Sequence, residues 1–184
     1  MDLLLHICCA PCAVEVVRDL EQHLSCKVSG VFYNPNIHPL DEFNRRENCL
    51  RDYVKEIDGF SVFYPQYNPK EFFKALDCKL DFPERCSSCW ELRLKKTASF
   101  AKENNFSSFT TTLLISPYQD QEVIKNIGNS LAEEYSIEFI SRNFRKLYSQ
   151  SRKAAKEKDL YRQNYCGCLF SEIERDNKIS SQAK

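Results

Sequence analysis

Seven of the ten cysteines lie in three short segments: Cys8, Cys9 and Cys12, then Cys86 and Cys89, then Cys166 and Cys168. Many cysteines in a chain expected to sit in a reducing compartment point to metal or redox chemistry rather than to a scaffold of bridges. Cys9-x-x-Cys12 and Cys86-x-x-Cys89 each have the spacing that lets two sulfurs point at one metal, and vicinal Cys8-Cys9 adds a third thiol to the first pair. Four thiolates suit zinc or an iron–sulfur cluster. Structural zinc sites draw their ligands from compact local knuckles. Here the two groups are far apart in sequence and one falls at a predicted functional edge, which favours a cluster with access to substrate. In Cys166-Gly167-Cys168 the single Gly permits a tight turn. The two sulfurs can form a labile disulfide that cycles with a dithiol, or supply further ligands to iron. Cys26, Cys49 and Cys78 stand alone and are expected to be buried small hydrophobes.

The elements around these residues alternate. Leu3 to Ile7 is a nearly continuous apolar run, as a strand covered on both faces requires. Pro11 opens a helical face continued by Ala13, Val16, Val17, Leu20 and Leu24. Strands are expected at Val28–Tyr33, Ser61–Tyr64, Phe109–Ile115 and Ile137–Ile140. Helices are expected around Phe43–Ile57, Pro69–Leu76, Trp90–Lys102, Val123–Tyr135 and Lys146–Lys158. Strand–helix alternation predicts an α/β fold: a parallel, Rossmann-like sheet with helices on both faces, plus a helical or irregular C-terminal segment. Residues 1–184 are read as one domain, with a basic segment 142–184 packed on it. In such sheets the ligand site lies beyond the carboxyl ends of the strands. The segments at those ends are His6 to Cys12, Tyr33 to Asn36 and Ser116 to Gln119.

Composition excludes little by itself, since 26 Lys plus Arg balance 26 Asp plus Glu. A nucleic-acid footprint must therefore be local. From Arg142 to Arg162 stand Arg142, Arg145, Lys146, Arg152, Lys153, Lys156, Lys158 and Arg162, against only Glu157 and Asp159. Phe144, Tyr148 and Tyr161 interleave with these cations, offering stacking surfaces beside phosphate contacts. The patch runs directly into Tyr165 and the Cys-Gly-Cys turn, which sets a nucleic-acid interface level with a merely solvated helix face. The turn after the first strand is Cys-Cys-Ala-Pro-Cys rather than a Gly-rich phosphate cradle, so neither NAD nor ATP is expected by a recognisable motif. No targeting segment or membrane span is visible, the first apolar run being too short, and a cytoplasmic protein is expected. The polar tail from Asp176 is expected to be loose.

Five motifs in order, Leu4–Cys12, Tyr33–Ile37, Arg85–Leu94, Thr111–Gln119 and Leu160–Cys168, together resemble the QueH-type epoxyqueuosine reductases across nearly the whole chain. Trp90 stands where many relatives carry Tyr. The resemblance implies a sheet of the HUP type, related to nucleotide α-hydrolases and tRNA-modifying ATP enzymes but without their ATP loop. It implies reduction of epoxyqueuosine to queuosine at the tRNA wobble position, with tRNA as partner and an unidentified electron donor. It further implies that Cys8, Cys9, Cys86 and Cys89 hold a [4Fe–4S] cluster and that Cys166 and Cys168 form a redox pair. Cys12, in the first helical turn where thiolate is favoured, is the candidate for an additional iron ion. Tyr118, Asp120 and Tyr165 are candidate proton donors or polar contacts. Asn34, Asn36, Gln119 and Tyr165 are expected to touch substrate, and Arg142, Arg145, Lys146, Arg152, Lys153 and Arg162 to touch tRNA. The rival from another class is a non-catalytic RNA-binding or scaffold protein with structural zinc. A protein disulfide oxidoreductase would leave the basic patch and two cysteine groups without a role.

Overall fold

The computed structural model describes residues 2–182 apart from Ser25, with backbone only for residues 178–182. Its centre is a five-stranded parallel sheet in the order β3-β2-β1-β4-β5. The strands are β1 (Asp2–His6), β2 (Lys27–Val31), β3 (Ser61–Phe63), β4 (Ser108–Thr111) and β5 (Glu138–Phe139). Leu3, Leu4 and Leu5 on the central strand are wholly buried, as burial on both faces demands. Helices α1 (Ala10–His23) and α2 (Leu40–Val54) follow β1 and β2, and α3 (Pro69–Leu76) and α4 (Glu84–Glu103) carry the chain back from β3 to β4. Helix α5 (Gln121–Tyr135) leads to β5, and α6 (Tyr148–Glu157) and α7 (Leu169–Gln182) complete the chain. Helix α1 packs on α2 and α6, whereas α4 packs on α3 and α5, so both faces of the sheet are covered.

The sheet matches the expected α/β class, and several boundaries move for local reasons. The run Phe109–Ile115 is not one strand. It stops at Thr111, whose hydroxyl accepts from the Leu113 N–H at 3.1 Å, and Thr112–Ile115 form a 3-10 turn. The helix expected from Trp90 begins at Glu84, directly after Pro83, and this puts Cys86 and Cys89 on one helical face instead of in a turn. The basic helix opens with a 3-10 turn at Arg145–Leu147 before α6 begins at Tyr148. Within the tail expected to be loose, Asp176 to Gln182 continue α7, whose Glu174, just before the tail, pairs with Arg85 at 2.6 Å, while Ala183 and Lys184 lie outside the described residues. Cys78 is exposed in the left-handed turn after α3 rather than buried, whereas Cys26 and Cys49 pack half-buried against the core.

Two packing details fix the C-terminal segment. The Ser151 hydroxyl on α6 donates to the Pro11 carbonyl at 2.6 Å, so α6 holds the first turn of α1. Arg142 forms a bidentate pair with the buried Asp19 of α1, at 2.6 and 3.1 Å.

Candidate active site at the carboxyl edge of the sheet

The order of strands reverses between β1 and β4, and a ligand crevice is expected beyond their carboxyl ends. His6 closes the sheet there. Its Nδ1 lies 2.9 Å from the Thr111 hydroxyl on β4 and its Nε2 lies 3.2 Å from the Tyr33 carbonyl after β2. Complete burial, reinforced by Arg93, pushes the imidazole pKa down to about 3, so His6 is a neutral strut between three strands. Cys8 follows at the switch point. Its N–H donates to the Thr112 hydroxyl at 3.0 Å, and that hydroxyl lies 3.2 Å from the Cys8 sulfur.

Cys9 is the N-cap residue of α1 and Cys12 lies in its first turn, with Pro11 between them where a missing N–H costs nothing. This geometry brings the Cys8, Cys9 and Cys12 sulfurs within 4.8 Å of one another. Hydrogen bonds from Cys12 and Cys9 hold the Cys8 thiol well below the usual thiol range. Hydrogen bonds to Cys8 and Cys9 raise Cys12. A metal ion held by the three sulfurs would replace the protons that they share.

The other four thiols approach from α4 and from the C-terminal turn. Cys86 and Cys89 are one helical turn apart, and burial pushes their pKa values up to about 11 and 12, with the nearby Cys166 and Cys168 adding to the rise. Cys166 opens onto the crevice and is in turn close enough to Cys8 to feel its charge. Cys168 is buried, with Cys89, in a small apolar cluster built on Phe72 and Leu76 of α3. Gly167 between them has φ +129°, and a Cβ there would come within 3.1 Å of both Arg46 and Ile37. Only Gly fits this turn.

Two buried arginines organise these sulfurs, and sequence reading did not single out either. Arg46 on α2 is 2% exposed, pairs with Glu42 at 2.7 Å and donates to the Cys166 and Tyr165 carbonyls at 2.9 and 3.3 Å. Arg93 on α4, one turn beyond Cys89, is also 2% exposed. It donates to the Asn34 side-chain oxygen at 2.7 Å and lies 4.0 Å from the Cys89 sulfur. Its Nε has no partner, and no carboxylate pairs with it among the described residues. Asn34, expected to touch substrate, instead bonds the Ile7 carbonyl at 2.9 Å and holds Arg93 in place. A further missed residue is Gln163, whose amide lies 2.9 Å from the Cys9 sulfur.

A cavity of about 850 Å³ opens over the site. Cys8, Cys12, Arg93 and Cys166 line it, and Tyr118, Tyr148, Arg152, Tyr161, Arg162 and Tyr165 form part of its walls. Tyr118 is 81% exposed and stands edge-on to Tyr148, with centroids 6.2 Å apart. The Tyr165 ring is held between the Arg46 and Arg175 guanidinium groups, its hydroxyl donating to the His38 carbonyl at 2.6 Å. Gln119 also lines the cavity, though its side-chain oxygen accepts from Trp90 at 2.7 Å. Asp120 does not line the cavity. It caps α5, accepting from Glu122 and Val123. Asn36 is buried with neither side-chain polar atom partnered, and it too lies away from the cavity lining.

Of the expected tRNA contacts, Lys146, Arg152, Lys153 and Arg162 are exposed. Arg142 is committed to Asp19, and Arg145 holds the Ser116 and Gln119 carbonyls at 3.3 and 2.7 Å. No described helix is long and apolar enough to cross a membrane.

The donor set fits an anionic metal group. Cys8, Cys9 and Cys12 gather at the crevice, Cys166 also lines it, and the buried Arg93 guanidinium there pairs with no carboxylate among the described residues, so a thiolate-ligated centre would set negative charge beside it.

Known proteins resemble this chain throughout its length. The family profile described as "Epoxyqueuosine reductase QueH" matches residues 3–174. A protein of that name from Dehalococcoides mccartyi is 38% identical over 181 residues, covering 98% of both chains. Another from Thermotoga maritima is 37% identical over 187 residues, covering 96% of this chain and 93% of its own. Among solved structures, the predicted subunit of tRNA methyltransferase from Methanocaldococcus jannaschii superposes with a TM-score of 0.52 at 16% identity, covering 85% of this chain and 76% of its own. That likeness speaks for the fold alone.

Proposed function

The chain belongs to the QueH family of epoxyqueuosine reductases, and from that premise we propose that it reduces epoxyqueuosine to queuosine at the wobble position of tRNA. It is an oxidoreductase, and the reaction removes one epoxide oxygen as water while two electrons and two protons are taken up. The observation that carries the reading is the Cys8, Cys9 and Cys12 trio, whose sulfurs lie within 4.8 Å of one another beside a cavity that Cys8, Cys12, Cys166 and Arg93 line and whose walls are aromatic and basic.

In this reading Cys8, Cys9, Cys86 and Cys89 hold a [4Fe–4S] cluster and Cys12 is the remaining thiolate for an additional iron. When bound, such a centre supplies electrons one at a time and Lewis acidity toward the epoxide oxygen. The chain's own residues do the rest. Cys166 and Cys168 supply two electrons and two protons as they pass from dithiol to disulfide, so that epoxide and dithiol give alkene, disulfide and water. An outside reductant then restores the pair. The rings of Tyr118, Tyr148 and Tyr161 offer faces for an unstacked base, and Lys146, Arg152, Lys153 and Arg162 offer phosphate contacts. The exposed Tyr118 hydroxyl is the candidate proton donor, since Tyr165 gives its own proton to the His38 carbonyl, while the cap at Asp120 and the strut at Asn34 act on the frame of the site.

The test is anaerobic purification with iron and sulfide analysis, followed by mass spectrometry of digested tRNA. Iron and sulfide near four each per chain and loss of the epoxide are expected. Zinc without sulfide would favour the scaffold reading instead. Loss of the cluster from Cys166→Ser or Cys168→Ser would exchange the roles given to the two cysteine groups.

A further inference from the structure

We infer that Arg93 is the counter-ion of the site's metal group and that its charge favours the reduced state of that group. This deepens the reading above and rests on it. Arg93 is the largest fully buried side chain. A guanidinium cannot shed its proton inside a protein, so a buried one requires an anion. No carboxylate supplies that anion among the described residues. Its neutral partner is the Asn34 oxygen at 2.7 Å, and its Nε is unpartnered. The charged partners within its reach are thiols. The Cys89 sulfur lies 4.0 Å away, and Arg93 reaches the cavity that Cys8 and Cys166 also line.

The placement is also rigid. Arg93 follows Cys89 by one helical turn, and Asn34 ties it to the Ile7 carbonyl, immediately before Cys8. A single guanidinium therefore bridges the helix bearing Cys86 and Cys89 to the strand end bearing Cys8. A thiolate-ligated cluster is anionic and becomes more so when it accepts an electron. Fixed positive charge and N–H donors near its sulfurs stabilise the reduced state and raise the potential. Arg93 thus acts as a positioning residue through the cluster, without touching substrate.

The experiment is a potentiometric titration of the loaded protein, followed by electron paramagnetic resonance without tRNA. Arg93→Met, which keeps bulk and loses charge, should lower the equilibrium constant for reduction at least tenfold, a shift of 59 mV for one electron. Arg93→Lys should stay within threefold of the parent. Asn34→Asp, which sets a carboxylate against the guanidinium, should also move the potential down. Full cluster content in Arg93→Met with an unmoved potential would overturn the inference while leaving the family reaction intact. If Arg93→Met fails to load, Asn34→Asp decides, and an unchanged potential there refutes the role. Zinc in place of iron and sulfide in the parent would remove the reading and the inference together.

Discussion

Replacing Arg46 by Met should cost the protein much of its stability margin and release the Cys166–Cys168 turn. Arg46 and Glu42 are 2% and 7% exposed, and their ion pair is 2.7 Å long. Removing one partner of a buried pair costs about 3–5 kcal/mol, because the other charge stays buried. Glu42 keeps one donor, the Tyr161 hydroxyl at 2.7 Å, which places the loss toward the lower end, about 3 kcal/mol. The two bonds from Arg46 to the Cys166 and Tyr165 carbonyls disappear as well. For a chain of this size that loss corresponds to a fall in melting temperature of about 6–12 °C. Urea unfolding measures the global term, and the alkylation rate of Cys166 in the metal-free protein reports the local one. Adding Glu42→Gln to Arg46→Met should recover part of the loss, since it removes the stranded charge. A loss below about 1 kcal/mol for Arg46→Met, with Cys166 no more reactive than before, would refute the argument that this arginine holds the turn.

Gly167→Ala should destabilise by about 1–3 kcal/mol, because φ +129° is strained for any side chain and the new Cβ meets Arg46 and Ile37 at 3.1 Å. Equilibrium unfolding reads this, and an unchanged midpoint would contradict it. In metal-free protein at neutral pH, Cys8 should be alkylated before Cys86, since its thiolate persists to lower pH while Cys86 is pushed up to about 11. Peptide mapping after brief labelling gives the order, and Cys86 reacting first would contradict the charge distribution. Lys153→Glu and Arg162→Ala should each reduce the slope of log tRNA affinity against log salt by about one. Arg142→Ala should instead lower stability by stranding Asp19, and an altered salt slope with unchanged stability would return Arg142 to the interface.

The sheet was legible because its signals are local. Leu3 to Ile7 and the Pro-led helix after it specify a buried strand and a crossover without knowledge of the rest. The first cysteine group was legible for the same reason, since it directly follows the first buried strand and so falls at the carboxyl edge of the sheet. Arg46 and Arg93 were not. Arg46 sits between Arg45 and Glu47 in a charged stretch where nothing local distinguishes a buried cation from an exposed one. Arg93 had one signal, its position four residues after Cys89 on a helix, and that helix was expected to start only at Trp90. The Thr-rich run after β4 read as continuous strand because β-branched residues favour strands, yet the Thr111 hydroxyl bonds its own backbone and turns the chain. The basic stretch was legible as charge, but only packing separates Arg142 and Arg145, which hold the frame, from the exposed Lys146 and Arg162.

The bond from Gln163 to the Cys9 sulfur spans 154 residues of chain, and this separation has a meaning in time. Synthesis at roughly 5–20 residues per second places the two halves of the wall about 8–30 s apart. During that interval the first three thiols are already made, while the residues that cover Cys9 and carry the Cys-Gly-Cys turn do not yet exist. The nascent chain therefore passes through a stage in which these three sulfurs are unshielded. Oxidation or capture of a stray metal at that stage competes with correct assembly, and the length of the exposure is set by elongation rate rather than by the affinity of the finished site.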